Sequence, residues 1–110
     1  MLLPNPKNCI IEETKIYDYV LSPEHPRGKH KAKVFKDAIG FTQKDGALLI
    51  QLIKTAVLEQ EALKNNVDEF GTRFSVEFEY SNDIGSVIIR TAWIVKAGEN
   101  IARLVSCYIV

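Results

Sequence analysis

The spacing of apolar residues changes period once along this chain, and that change limits what it can become. Up to about residue 57 the apolar positions recur at helical intervals. Leu48, Leu49, Leu52, Ile53, Ala56 and Val57 form one such stripe. From Phe74 onward the interval is two. Phe74, Val76, Phe78 and Tyr80 alternate with Arg73, Ser75, Glu77 and Glu79, the pattern of a strand with one buried face. Ser86 to Val95 is apolar on both faces and reads as a central strand. Arg103 to Val110 reads as the last strand, and the turn-forming runs Ser81 to Gly85 and Lys96 to Asn100 separate the three. Helices first and consecutive strands after predict an α+β fold: about three N-terminal helices packed on an antiparallel β-meander of three to four strands.

Within the first half, a short helix is expected from about Glu12 to Val20, stopped by Ser22-Pro23, because a residue before proline is pushed out of helical geometry. A loop with two prolines and a glycine follows. A second helix is expected from about Lys29 to Ala38, with Ala32, Phe35 and Ile39 turned inward and Gly40 as its C-terminal cap. Thr42, with Asp45 three residues on, fits a capping box opening a third helix that runs to about Gln60. Gly46 weakens its first turn by about 1 kcal/mol relative to alanine. Leu63 to Gly71 is polar and reads as loop, and Cys9 to Ile11 as a candidate edge strand.

The 110 residues fit a single domain, 1–110. An apolar share of 46% against 25% charged is that of a folded globule and excludes disorder as the resting state. No run approaches the ~18 apolar residues of a membrane span. Met1 to Asn8 lacks the basic start and apolar stretch of a signal peptide. The expectation is a cytoplasmic protein with no membrane partner, monomeric or homodimeric. Cys9 and Cys107 lie far apart and in no CxxC arrangement, so they read as reduced thiols. Two cysteines and two histidines so placed make a poor ligand set, and neither metal nor cofactor is expected.

The formal net charge is zero, but its distribution is uneven. His25 to Lys36 (His-Pro-Arg-Gly-Lys-His-Lys-Ala-Lys-Val-Phe-Lys) contains five of the 14 Lys and Arg, both histidines and no acid. On a helical wheel Lys29, Lys33 and Lys36 share a face, His30 sits at its edge, and Lys31 falls on the other flank. Such a patch attracts a polyanion, with salt-sensitive affinity. The histidines could move protons near neutral pH. The plainer alternative is a solvated basic face balanced by Glu59, Glu61, Asp68, Glu69, Glu77 and Glu79.

Arg90 shares a strand face with Ile88, Ala92 and Ile94. A cation there needs a partner. It either grips a phosphate or pairs with a sheet acid such as Glu77 or Glu79. Arg73 reads as an exposed strand residue. Trp93, the sole tryptophan, reads as core. Ser106 and Tyr108 share a face of the last strand, where they offer hydroxyls to a phosphate or fill ordinary polar positions. Neither lies in a nucleophile motif, and no phosphate-binding glycine loop is present.

The runs Leu21 to Phe35 (LSPEHPRGKHKAKVF), Arg90 to Val95 (RTAWIV) and Arg103 to Tyr108 (RLVSCY) resemble a bacterial family of uncharacterised small domains. Its members occur alone or as the tail domain of large polymorphic toxins. A more distant resemblance is to the barnase–EndoU–colicin–RelE ribonuclease superfamily, in which a helix and a meander frame an RNA cleft and catalysis needs no metal. The chain departs from that pattern in having Ser106 where threonine is usual, and in lacking two well-separated histidines. The resemblance implies a metal-independent endoribonuclease of toxin type. Its ribose 2′-oxygen attack would use His30 or His25 as base, Arg90 with Lys29 and Lys33 to stabilise charge, and Tyr108 or Ser106 to position the phosphate. Arg27, Lys29, Lys31, Lys33 and Lys36 would bind RNA. The expected arrangement gathers Lys29, His30, Lys33 and Arg90 in one cleft. Two alternatives belong to other classes: a non-catalytic module that binds nucleic acid or protein, and the antitoxin or immunity partner of a toxin.

Overall fold

Apolar spacing sets where the helices form and which side they bury. The computed structural model describes residues 1–110. The first helix, α1, is an α turn at Glu13–Lys15 that widens into a π turn at Ile16–Val20, and it buries Ile16 and Val20. The second, α2, spans Lys29–Ile39 and buries Ala32, Phe35 and Ile39, as their spacing predicts. It ends at Gly40, whose φ of 74° is the left-handed conformation that glycine adopts without strain. The Asp45 carboxylate accepts the Thr42 backbone N–H at 2.9 Å, and a 3-10 turn at Gln43–Asp45 leads into α3, Gly46–Glu59.

The stripe on α3 is narrower than expected. Leu49, Ile53, Ala56 and Val57 are buried and Leu52 is half-buried, but Leu48 is 43% exposed. A helix lying on a sheet buries one side only, and Leu48 is a residue's rotation away from the Leu49–Ile53 line. No helix is long and apolar enough to cross a membrane.

Four strands follow: β1 (Ala62–Asp68), β2 (Gly71–Ser81), β3 (Ser86–Lys96) and β4 (Ala102–Ile109), antiparallel in the order β1-β2-β3-β4. The first corrects the sequence reading of Leu63 to Gly71 as loop. β1 is an edge strand, and beyond Ala62 all of its residues are exposed. It therefore carries no apolar alternation; its backbone pairing with β2 makes it a strand. Cys9 to Ile11 does not become a strand of its own. Ile10 alone bridges to the start of β4, accepting from Leu104 N–H and donating to Ala102 O, both at 2.9 Å.

Register sorts the sheet into two faces. On one, Phe74 pairs with Trp93, Val76 with Thr91 and Phe78 with Ile89, and these are buried. The helices cover them: α2 packs on β3 and β4, and α3 on β2. Trp93 belongs to this core, where its Nε1 donates to Thr91 Oγ1 (2.7 Å), which donates to Val76 O (2.8 Å). Two buried polar side chains are thereby satisfied. The other face carries Ser75, Ala92 and Ser106 in one row and Glu77, Arg90 and Tyr108 in the next, and the Glu77 and Ile88 positions are open to solvent.

Candidate functional site

The loop before α2 is ordered by its own side chains. Ser22 Oγ accepts the N–H groups of Glu24 (3.3 Å) and His25 (3.2 Å). His25 Nδ1 then accepts those of Arg27 (3.0 Å) and Gly28 (2.9 Å), and its carbonyl accepts Lys29 N–H at 2.9 Å. His25 therefore ties down the Pro26–Gly28 turn that leads into α2, taking up two amides that precede the helix. Its Nδ1 lone pair is engaged and is not open to a substrate. The imidazole also meets the Tyr19 ring edge-on at 4.8 Å. A side chain at Gly28 is impossible here, since its Cβ would stand 2.0 Å from Tyr19 O. That contact locks the end of α1 against the start of α2.

With its start fixed, α2 presents Lys29, His30, Lys33 and Lys36 to a groove of about 830 Å³, whose opposite wall is formed by Leu21, Pro23 and the segment from Phe41 to Lys44. Lys33 Nζ donates to Asp37 at 2.6 Å, an exposed i,i+4 pair that contributes little and neutralises one charge. An acid thus stands at the end of the basic segment, where the sequence reading placed the acids elsewhere. Lys29, Lys36 and Lys44 form no such pair. His30 is exposed and makes no hydrogen bond. It also borders a second, smaller cleft of about 350 Å³, shared with Lys31, Val34, Tyr108 and Ile109 at the edge of β4.

A cluster lies beside that smaller cleft. Lys31 Nζ donates to Tyr19 Oη at 3.1 Å and stands 5.2 Å from the Tyr19 ring centre and 5.9 Å from that of Tyr108. Arg90 Cζ is 5.8 Å from the Tyr108 ring centre, and its Nη1 donates to Tyr108 Oη at 3.4 Å. Arg90 Nε donates to Glu77 at 2.5 Å. The Lys31 hydrogen bond holds the Tyr19 phenol below the usual tyrosine range, with further lowering from Ser106, Lys31's charge and Arg27. Arg90 is held cationic by Tyr108 first and Glu77 next. The Ser106 hydroxyl is buried and has no hydrogen-bond partner of good geometry.

The residues picked out in the sequence therefore fall into two neighbouring groups, not one cleft. Lys29, His30, Lys33 and Lys36 line the groove. Lys31, Tyr108, Arg90 and Ser106 gather at the β4 edge, and His30 touches both. Arg90 does not join Lys29 and Lys33, because alternation along β3 turns it away from the helix-covered face of Ile89 and Thr91. Its pairing with Glu77 is one of the two partners its strand face implied. Arg27 is exposed in the capping turn. Arg73 is half-buried and reaches Asp68 at 3.4 Å.

Two members were not picked out beforehand. Tyr19 lies off the Ile16–Val20 side of α1, and an aromatic outside the apolar stripe was its one signal. Lys44 sits in the capping turn of α3 and enters the groove only because that turn folds back toward α2. Burial pushes both the Cys107 and Cys9 thiols up, so neither is a thiolate nucleophile.

No curated protein and no solved structure matches the chain. A family model does match, over residues 2–110. The LSPEHPRGKHKAKVF loop and helix, which build the turn before α2 and one wall of the groove, fall inside that match, as do Arg90 and Tyr108, and the chain belongs to the family described as a domain of unknown function, DUF6883.

Proposed function

We propose that the domain binds single-stranded RNA along the lysine groove and cleaves it without a metal ion, with His30 as general base. In this reaction His30 takes the proton of a ribose 2′-hydroxyl. The 2′-oxygen forms a bond to the adjacent phosphorus, the bond from phosphorus to the 5′-oxygen breaks, and that oxygen takes a proton from solvent. The products are a 2′,3′-cyclic phosphate and a free 5′-hydroxyl. The observation that carries the reading is the position of His30. It is the histidine with no hydrogen-bond partner, and it lies between a groove lined by four lysines and a cleft lined by Lys31 and Tyr108. Lys29 and Lys31 flank it in sequence and supply positive charge for the phosphorane.

The test is incubation of the purified domain with an unstructured RNA oligonucleotide in the presence of EDTA. Cleavage is expected, with His30→Ala slower by ~10²–10⁴-fold, the usual worth of a positioned base. Cleavage that vanishes with EDTA, or that ignores His30→Ala, would sink the mechanism. One observation favours a second reading, a module that binds RNA without cutting it: His30 lacks an orienting partner, which general bases commonly have. Salt-sensitive binding with no cleavage, and no loss of growth on expression in bacteria, would select that reading.

A further inference from the structure

Lys31 is a half-buried cation that pairs with no carboxylate, and its one hydrogen bond goes to a phenol, Tyr19 Oη. A second cation, Arg90, stands over the same Tyr108 ring, with both charge centres within 6 Å of its centre (5.9 and 5.8 Å). A single carboxylate, Glu77, ion-pairs in this cluster, and it is bound to Arg90. Two cations against one acid leave a positive charge uncompensated where water is partly excluded. A half-exposed charge left over in this way is available to an anionic ligand. Beside it lies the buried Ser106 hydroxyl, which faces the Tyr19 phenol without a hydrogen bond of good geometry.

The donors left over define the ligand. Lys31 keeps N–H groups beyond the one given to Tyr19. Arg90 keeps those not given to Glu77 and Tyr108. Tyr108 keeps its hydroxyl hydrogen, and the Ser106 hydroxyl can turn from the Tyr19 phenol to donate to the ligand. These are several donors, two of them charged, disposed about one tyrosine ring. A tetrahedral oxyanion has enough oxygens to take them, and charge-assisted hydrogen bonds of this type are the strong ones. We propose that Lys31, Arg90, Tyr108 and Ser106 form a phosphate subsite at the β4 edge, separate from the lysine groove and joined to it by His30. Resting on the RNA reading, its occupant is the phosphate next to the ribose that His30 deprotonates, while the groove holds the flanking backbone.

Tyr19 makes the subsite observable with inorganic phosphate as probe. The groups facing its phenol are Lys31 from α2, His25 and Arg27 from the loop, and Ser106 from β4. Phosphate at Lys31 competes for the hydrogen bond that favours the phenolate and sets a negative charge beside it. The Tyr19 phenol should therefore ionise at higher pH in phosphate than in chloride of equal ionic strength. Near-UV absorbance follows the titration, and Tyr19→Phe assigns it among the four tyrosines.

The shift should be present in the wild type and in the Lys29→Ala/Lys36→Ala double variant. It should be absent in Lys31→Met and restored in Lys31→Arg. Arg90→Lys should weaken phosphate by about tenfold, the value of one lost charged hydrogen bond. No shift in the wild type, a shift that survives Lys31→Met, or one lost with the groove lysines overturns the subsite. The RNA assay separates the two ideas. A Lys31-dependent phosphate shift without RNA binding keeps the subsite and removes the RNA reading. RNA cleavage without the shift does the reverse.

Discussion

His25 and His30 lie five residues apart in one basic segment, and the backbone around them leaves them in different settings. His25 Nδ1 is spent on two N–H groups of the turn before α2, while His30 is free at the groove lip. The expected consequences are opposite. His25→Ala should lower stability by about 1 kcal/mol, the usual value of a lost side-chain hydrogen bond, and leave most of the proposed RNA cleavage in place. His30→Ala should leave stability within ~0.5 kcal/mol, as for an exposed side chain without partners, and remove cleavage. Urea denaturation beside the oligonucleotide assay checks both, and a His25 variant as stable as the wild type would deny that the imidazole holds the turn. Both histidines were legible in the sequence as candidates. Their different hydrogen bonding was not, because it depends on which way the Pro23–Gly28 loop turns its amides. Lys31 is a similar case. The helical wheel put it on the wrong flank for the groove, and that flank proves to face the edge of β4.

At the scale of elements, periodicity located what is buried on one side and missed what is not. α2, β2 and β3 each bury an apolar stripe and were legible to within a few residues. β1 buries only Ala62 and was read as loop. Its closing turn is held by Asp68, whose Oδ1 accepts the N–H groups of Phe70 (2.9 Å) and Gly71 (3.2 Å) and whose Oδ2 meets Arg73. These bonds, Phe70's first, hold the carboxyl below its ordinary value of 3.8. A depressed folded-state value means that ionised Asp68 favours the fold. That contribution is complete above the unfolded value and is lost as pH falls through the folded one. Asp68→Asn should accordingly be less stable than the wild type at pH 7, and the gap should shrink below about pH 3.8. Chemical denaturation at the two pH values tests it; a gap independent of pH would mean that shape, not charge, holds the turn. In the core, Thr91→Val leaves Trp93 Nε1 without its acceptor and should cost ~1–3 kcal/mol. Equal stability would show that the Trp93 N–H finds another partner.

For the molecule as a whole, a net charge of zero conceals one local concentration of lysines. Lys29, Lys33 and Lys36 of α2 and Lys44 line a groove that only the folded chain assembles. That groove was half legible. Helical spacing gathered Lys29, Lys33 and Lys36, but nothing in the sequence said that the α3 capping turn would become its far wall. If RNA backbone lies along it, affinity must depend on salt, because each neutralised phosphate of a single strand adds roughly 0.7 to the slope of log affinity against log salt. Lys29 and Lys36 are unpaired and should each contribute fully. Lys33, already paired with Asp37, should contribute less. Lys29→Ala/Lys36→Ala is therefore expected to reduce the slope by about 1.4, and Lys33→Ala by well under 0.7. Fluorescence anisotropy of a labelled oligonucleotide across a salt series measures both. Should the double variant keep the wild-type slope, the groove does not carry the strand, and the phosphate contacts must be sought at the β4 edge alone.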